Sequence, residues 1–152
     1  MARSKQPYKS LLHTLKAIKR QALEGVGYMK AKMPAGIYSA SDLFDLLRDC
    51  TTYKHDPKGI ELIHTPKSFF EDNYHGVSGA GDCDDFTAVS IAGLKAIGTP
   101  DRKIKIVLTG RRPDIAKHIY LKVGDTPFDL TNVFYGEERQ YPYYQEIPIN
   151  KL

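Results

Sequence analysis

The order of elements predicts an α+β protein. Helical patterns occupy the chain up to Ile97, and alternating strand patterns joined by a hairpin turn follow. Between them, Gly79-Ala80-Gly81-Asp82-Cys83-Asp84-Asp85-Phe86 runs from a glycine-rich turn through an N-cap aspartate into a helix. From Phe86 to Ile97 that helix is apolar on nearly every side, broken by Thr87, Ser90 and Lys95, as expected for a helix buried at the centre of a domain. Cys83 would then stand at the helix N-terminus, where unpaired N–H groups and the helix dipole favour a thiolate. The glycines would leave room for a substrate backbone. The plainer alternative is that Cys83 is one more buried cysteine.

The 152 residues suffice for one domain with a real core and are too few for two comfortable ones. The sequence divides into a basic amphipathic helix with its linker (1–38), a core (39–131) and an aromatic, proline-containing extension (132–152). No apolar run is long enough to span a bilayer or to act as a secretory h-region, so no membrane partner is expected. Two cysteines, Cys50 and Cys83, do not make a disulfide scaffold and point to a reduced, cytoplasmic setting. Cys50 is expected to be a structural thiol that does not pair with Cys83. The five histidines are scattered and form no zinc pattern. A net charge of +4 is not a nucleic-acid signature, and the dense basic and aromatic pattern of a dedicated binder is missing.

In order, Met1–Pro7 reads as a leader. Tyr8 to about Leu23 is an amphipathic helix with Tyr8, Leu11, Leu12, Leu15, Ile18 and Ala22 on one face. Its basic face is either solvated or a dock for a partner or a nucleic acid. Gly25-Val26-Gly27 should end it, leaving Met29–Gly36 irregular. Ser39 to Asp42 offers N-caps for a helix through Leu43, Phe44, Leu46 and Leu47 to Cys50. Thr51–Asp56 is expected to be extended, Asp56–Gly59 a turn, and Ile60–His64 a short strand. Thr65-Pro66 opens a short helix, and Asn73–Gly81 is a loop. After the stop at Gly98–Asp101, Lys103–Thr109 and His118–Val123 alternate as strands. Gly124-Asp125 suits a two-residue hairpin turn into Thr126–Thr131. The tyrosine-rich tail should wrap the domain in extended form, a second possible protein contact.

That hairpin sets a register. Val123 faces Thr126, Tyr120 faces Asp129 and His118 faces Thr131, so Asp129 becomes a diagonal neighbour of His118, roughly 7–8 Å away between backbones. A one-residue change in loop length would turn Asp129 to the other face. The spacing is therefore compatible with a His–Asp pair that could serve a cysteine nucleophile. Taken singly, His118 reads better as a half-buried strand histidine and Asp129 as a strand-end carboxylate capping a turn.

Gly81-Asp82-Cys83-Asp84-Asp85, His118-Ile119-Tyr120-Leu121-Lys122-Val123 and Phe128-Asp129-Leu130-Thr131, in that order, resemble the transglutaminase-like superfamily. The lead-in Tyr53-Lys54-His55-Asp56-Pro57 and Glu61-Leu62-Ile63-His64-Thr65-Pro66 is similar to that of its bacterial and phage members. The resemblance spans about Ser41 to Thr131. It implies a papain-like core with the helix packed on an antiparallel sheet. It also implies Cys83 as nucleophile, His118 as general base and acid, and Asp129 as its orienter. It implies a thiol peptidase or amidase acting on amide or isopeptide bonds of a peptide or protein substrate through an acyl thioester, with no metal or organic cofactor. Animal members use a tryptophan near the oxyanion hole, and this chain has no Trp. The backbone N–H of Cys83 would be one donor, with Tyr53 or Tyr74 as the second by position. The rival reading is a non-enzymatic binding or assembly module, such as part of a phage particle, that keeps the fold.

Overall fold

The computed structural model describes residues 8–56, 62–113 and 116–152. The expected leader Met1–Pro7, the turn at Pro57–Gly59, Ile60 and Glu61, and the side chains of Tyr8 and Leu11 lie outside what is described; Leu62–His64, the rest of the expected Ile60–His64 strand, is not in a strand. Among the described residues, five α-helices and a four-stranded antiparallel sheet make an α+β protein with helix α5 (Cys83–Ala96) at its centre, against the sheet.

Helix α1 (Tyr8–Glu24) buries Leu15, Ile18 and Ala22. The expected irregular stretch after it is instead helix α2 (Val26–Lys32), with Met29 buried. Gly25 has φ −95° and ψ 0°, a right-handed conformation, so it does not provide the left-handed stop that a glycine often gives a helix. It is small for another reason: a Cβ there would fall 2.2 Å from Cγ of Pro66. Helix α3 (Ala40–Cys50) starts at a capping box in which Ser39 and Asp42 bond reciprocally, and it buries Leu43, Phe44 and Leu47. Cys50, on its last turn beyond that apolar stripe, is a free thiol but exposed, not packed as a structural thiol would be.

Strand β1 (Thr52–Tyr53) pairs in parallel with β2 (Ala80–Gly81), a pairing hidden within the expected loop. Thr65 caps helix α4 (Pro66–Glu71), with proline at its first turn as expected. Helix α5 is buried at every position from Cys83 to Leu94, and Leu43 packs so closely on Gly93 that a Cβ there would meet its methyls at 3.0 Å. Full burial of side chains such as Ile91 and Leu94 stabilises by roughly 1.5–3 kcal/mol each.

The sheet runs in the order β5 (Thr126–Phe128), β4 (His118–Val123), β3 (Ile104–Gly110), β6 (Tyr143–Pro148). The hairpin register is the expected one, Val123 opposite Thr126 and Leu121 opposite Phe128. Its second strand stops at Phe128, because the carboxylate of Asp129 takes the Thr131 backbone N–H at 3.0 Å and turns the chain away. The tail does more than wrap: β6 pairs with Lys105–Gly110 of β3 and supplies one edge strand of the sheet. Ile104, Ile106, Leu108, Ile119, Leu121 and Phe128 join residues of α1, α3 and α5 in one core.

Candidate active site around Cys83, His118 and Asp129

Cys83 is the first residue of α5, and only 1% of it is exposed. The N-cap Asp82 accepts from the backbone N–H groups of Asp84 (3.1 Å) and Asp85 (3.4 Å), while Asp85 reaches back to the Asp82 N–H at 3.3 Å. The glycines before this cap do not leave space for a substrate, contrary to expectation. A Cβ at Gly81 would lie 2.5 Å from Asp85 Oδ2 and 2.7 Å from Phe69 Cε1, and one at Gly79 would lie 2.2 Å from the Cys50 carbonyl oxygen. The glycines allow chain packing, with Gly79 also at φ +71°. Gly81→Ala should therefore cost roughly 1–3 kcal/mol of stability by urea unfolding, the usual price of overpacking.

His118 and Asp129 form a direct pair. Nε2 of His118 lies 2.7 Å from Oδ2 of Asp129, both side chains being nearly inaccessible. The other carboxylate oxygen accepts from the Thr131 backbone N–H at 3.0 Å and from its hydroxyl at 2.7 Å. Burial alone would raise the Asp129 carboxyl; the hydrogen bond from His118, helped by its charge and by Thr131, overrides it and holds the carboxyl below its ordinary range. The pair thus contributes stability above the unfolded carboxylate range, lost as pH falls through the folded value. An ionised Asp129 accepts only, so Nε2 carries hydrogen and Nδ1 is the nitrogen left for proton transfer. The imidazole is also held by the Tyr120 ring, stacked at 5.4 Å, whose hydroxyl donates to Glu138 at 2.5 Å.

Cys83 and Asp129 line the same small void of about 10 Å³, room for a single water. Phe86, Leu130 and Thr131 line both this void and a larger cleft of about 380 Å³, whose lining also includes His118 and Tyr53. Tyr53 arrives there through β1, whose pairing sets it beside Gly81, two residues before the thiol. Its ring packs edge-on against Phe86 at 5.7 Å. Burial, then the charges of Cys83, Asp82 and Asp84, push its hydroxyl upward, so it remains a proton donor. Tyr74, the other expected oxyanion donor, lies elsewhere. It is 45% exposed and packs on the rings of His64 and His75, and it lines neither cavity.

Behind the cap, Asp56, Asp82 and Asp85 each place one carboxylate oxygen within 4.8 Å of the others. Three oxygens of this kind are the donor type a hard divalent cation takes. A proton relieves the same crowding. Burial, then the charges of Asp84, Asp85 and Asp56, push Asp82 up to about 9, and its Oδ2 has no hydrogen-bond partner among the described residues. The raised carboxyl contributes stability that is present below its ordinary value of 3.8 and is lost as pH rises toward about 9. Asp82→Asn keeps the capping oxygen and removes the titration. It should therefore stabilise the protein by on the order of 1–3 kcal/mol at alkaline pH and little under acid conditions. Urea unfolding at both ends of that range checks this; equal pH dependence in the two proteins would contradict it.

Sequence reasoning missed Thr131, Tyr120, Arg48 and Arg139 around this site. Thr131 was legible, since Asp-x-Thr is an Asx-turn pattern and Tyr120 shares a strand face with His118. Arg48 and Arg139, from α3 and the tail, reach the cleft through tertiary packing alone. The chain matches no family model, no curated protein and no solved structure.

Proposed function

We propose that the protein is a thiol hydrolase of transglutaminase-like type with a papain-like arrangement of α5 against the sheet, acting on amide or isopeptide bonds. The observation that carries the reading is the buried 2.7 Å contact between His118 Nε2 and Asp129 Oδ2, with Asp129 and Cys83 lining one void. His118 Nδ1 takes the Cys83 thiol proton, and sulfur attacks the amide carbonyl carbon. The backbone N–H of Cys83 and the Tyr53 hydroxyl stabilise the oxyanion. The imidazolium then protonates the leaving amine, and an acyl thioester remains. His118 deprotonates a water that attacks the thioester, releasing a carboxylic acid and the thiol. A protonated Asp82 removes one of the negative charges that would oppose the thiolate at the helix end.

The 1% exposure of Cys83 favours the rival reading, a binding or assembly module, because the wall shared by void and cleft must shift before a substrate meets the sulfur. Carboxamidomethylation at neutral pH separates the two. Cys83 should react faster than the exposed Cys50 in the folded protein, by mass spectrometry of the two peptides. Labelling of Cys83 only after unfolding would favour the module.

A further inference from the structure

The cleft beside His118 is strongly basic. Its lining includes Arg48, His55, His118 and Arg139 with Tyr53 and Tyr141, and among the described residues no carboxylate lines it. Arg48 Nη1 donates to the Leu130 carbonyl at 3.0 Å. Arg139 Nε donates to Asn132 Oδ1 at 3.2 Å, and its Nη2 to the Thr131 carbonyl at 3.4 Å. Both guanidiniums are thereby tied to the segment just after Asp129. Neither meets a carboxylate among the described residues. A guanidinium has five N–H donors in a rigid fork, and these bonds leave most of them for a ligand. Tyr53 lines this cleft together with Arg139 and stands beside Gly81, two residues before the thiol.

We infer that this cleft recognises a carboxylate, and that Arg48 and Arg139 select amide substrates bearing one beside the bond to be cleaved. Arginine forks pair with carboxylates through two parallel charge-assisted hydrogen bonds. A peptide brings such a group either as an acidic side chain or as a free C-terminus. The assignment of a cleaved bond rests on the thiol-hydrolase reading; the carboxylate site does not depend on it.

The test is an NMR titration of the full-length wild-type chain, following the arginine side-chain Nε–H signals. Three blocked tripeptides serve as probes. Acetyl-Ala-Glu-Ala-amide carries a side-chain carboxylate, acetyl-Ala-Ala-Ala a terminal one, and acetyl-Ala-Gln-Ala-amide none. At least one carboxylate peptide should bind about tenfold tighter than the neutral one and move the Arg48 and Arg139 signals. The better of the two identifies the source of the carboxylate. Raising salt from about 0.05 M to about 0.5 M should narrow the gap. Arg48→Gln combined with Arg139→Gln should make the three peptides equivalent; if that variant does not fold, the wild-type comparison and its salt dependence decide. Equal binding of all three, no binding, or unmoved arginine signals would overturn the inference. An inert Cys83 with the carboxylate preference intact would instead sink the catalytic reading alone.

Discussion

Cys83→Ala should lower amide hydrolysis by at least about 10⁴-fold, leaving only what binding and the oxyanion donors supply, and His118→Ala should come close to it. In the proposed route the sulfur forms the covalent intermediate, and Cys50 cannot replace it: it is on α3, outside the lining of both cavities. Asp129→Asn is the most informative variant. Asparagine fits the same space, and its oxygen can still accept from the Thr131 N–H and hydroxyl, so the fold should persist. Its NH₂ would then face His118 Nε2, which turns from donor to acceptor, and the imidazole hydrogen moves to Nδ1. An Nδ1–H cannot accept the thiol proton, so kcat should fall by about 10²–10⁴-fold with little change in melting temperature. The three losses should be strongly non-additive in the double variants, because a broken relay has little left to lose. Activity that survives Cys83→Ala would exclude the thiol route.

The largest loss of stability should come from Asp85→Ala. Asp85 is fully buried and accepts from the Asp82 N–H, the His64 N–H at 3.0 Å and His64 Nδ1 at 3.1 Å. Alanine leaves all three donors without that acceptor and removes half of the capping box. The cost should be about 3 kcal/mol, a large part of the 5–15 kcal/mol typical of a domain. The melting temperature should drop by roughly 6–12 °C. The sign of its pH dependence follows from His64. The hydrogen bond to Asp85 raises that imidazole above its ordinary value of 6.5, against the opposing effect of burial. Its contribution is present below the unfolded value and fades as pH rises through the folded one. The gap between wild type and Asp85→Ala should therefore narrow on going alkaline. A gap that widens would mean that His64 is not the partner that matters.

The elements legible in the sequence are those written by local chemistry. Asp82 and Asp85 at cap spacing before an apolar run mark α5, and Gly124-Asp125 between alternating segments sets the register that brings Asp129 to His118. The parts that were not legible depend on distant contacts. Helix α1 ends before Gly25 as expected, but Gly25 is right-handed and makes room for Pro66, and a second helix, Val26–Lys32, follows at once. The two-residue pairing of β1 with β2 is too short to leave a period, yet it brings Tyr53 rather than Tyr74 to the cleft. Tyr143–Pro148 carries few aliphatic residues, so its pairing with β3 depends on an open sheet edge that only the assembled fold provides.

The central claim is that His118, oriented by Asp129, activates the sulfur of Cys83. The pH profile of Cys83 alkylation by iodoacetamide tests it most directly, with Cys50 of the same molecule as the internal standard and His118→Ala beside the wild type. An ordinary free thiol loses reactivity as pH falls below about 8.5. In the wild type the ratio of Cys83 to Cys50 labelling should climb as pH falls through neutrality, and in His118→Ala it should become flat. A flat wild-type ratio, or one unchanged by His118→Ala, would contradict the account.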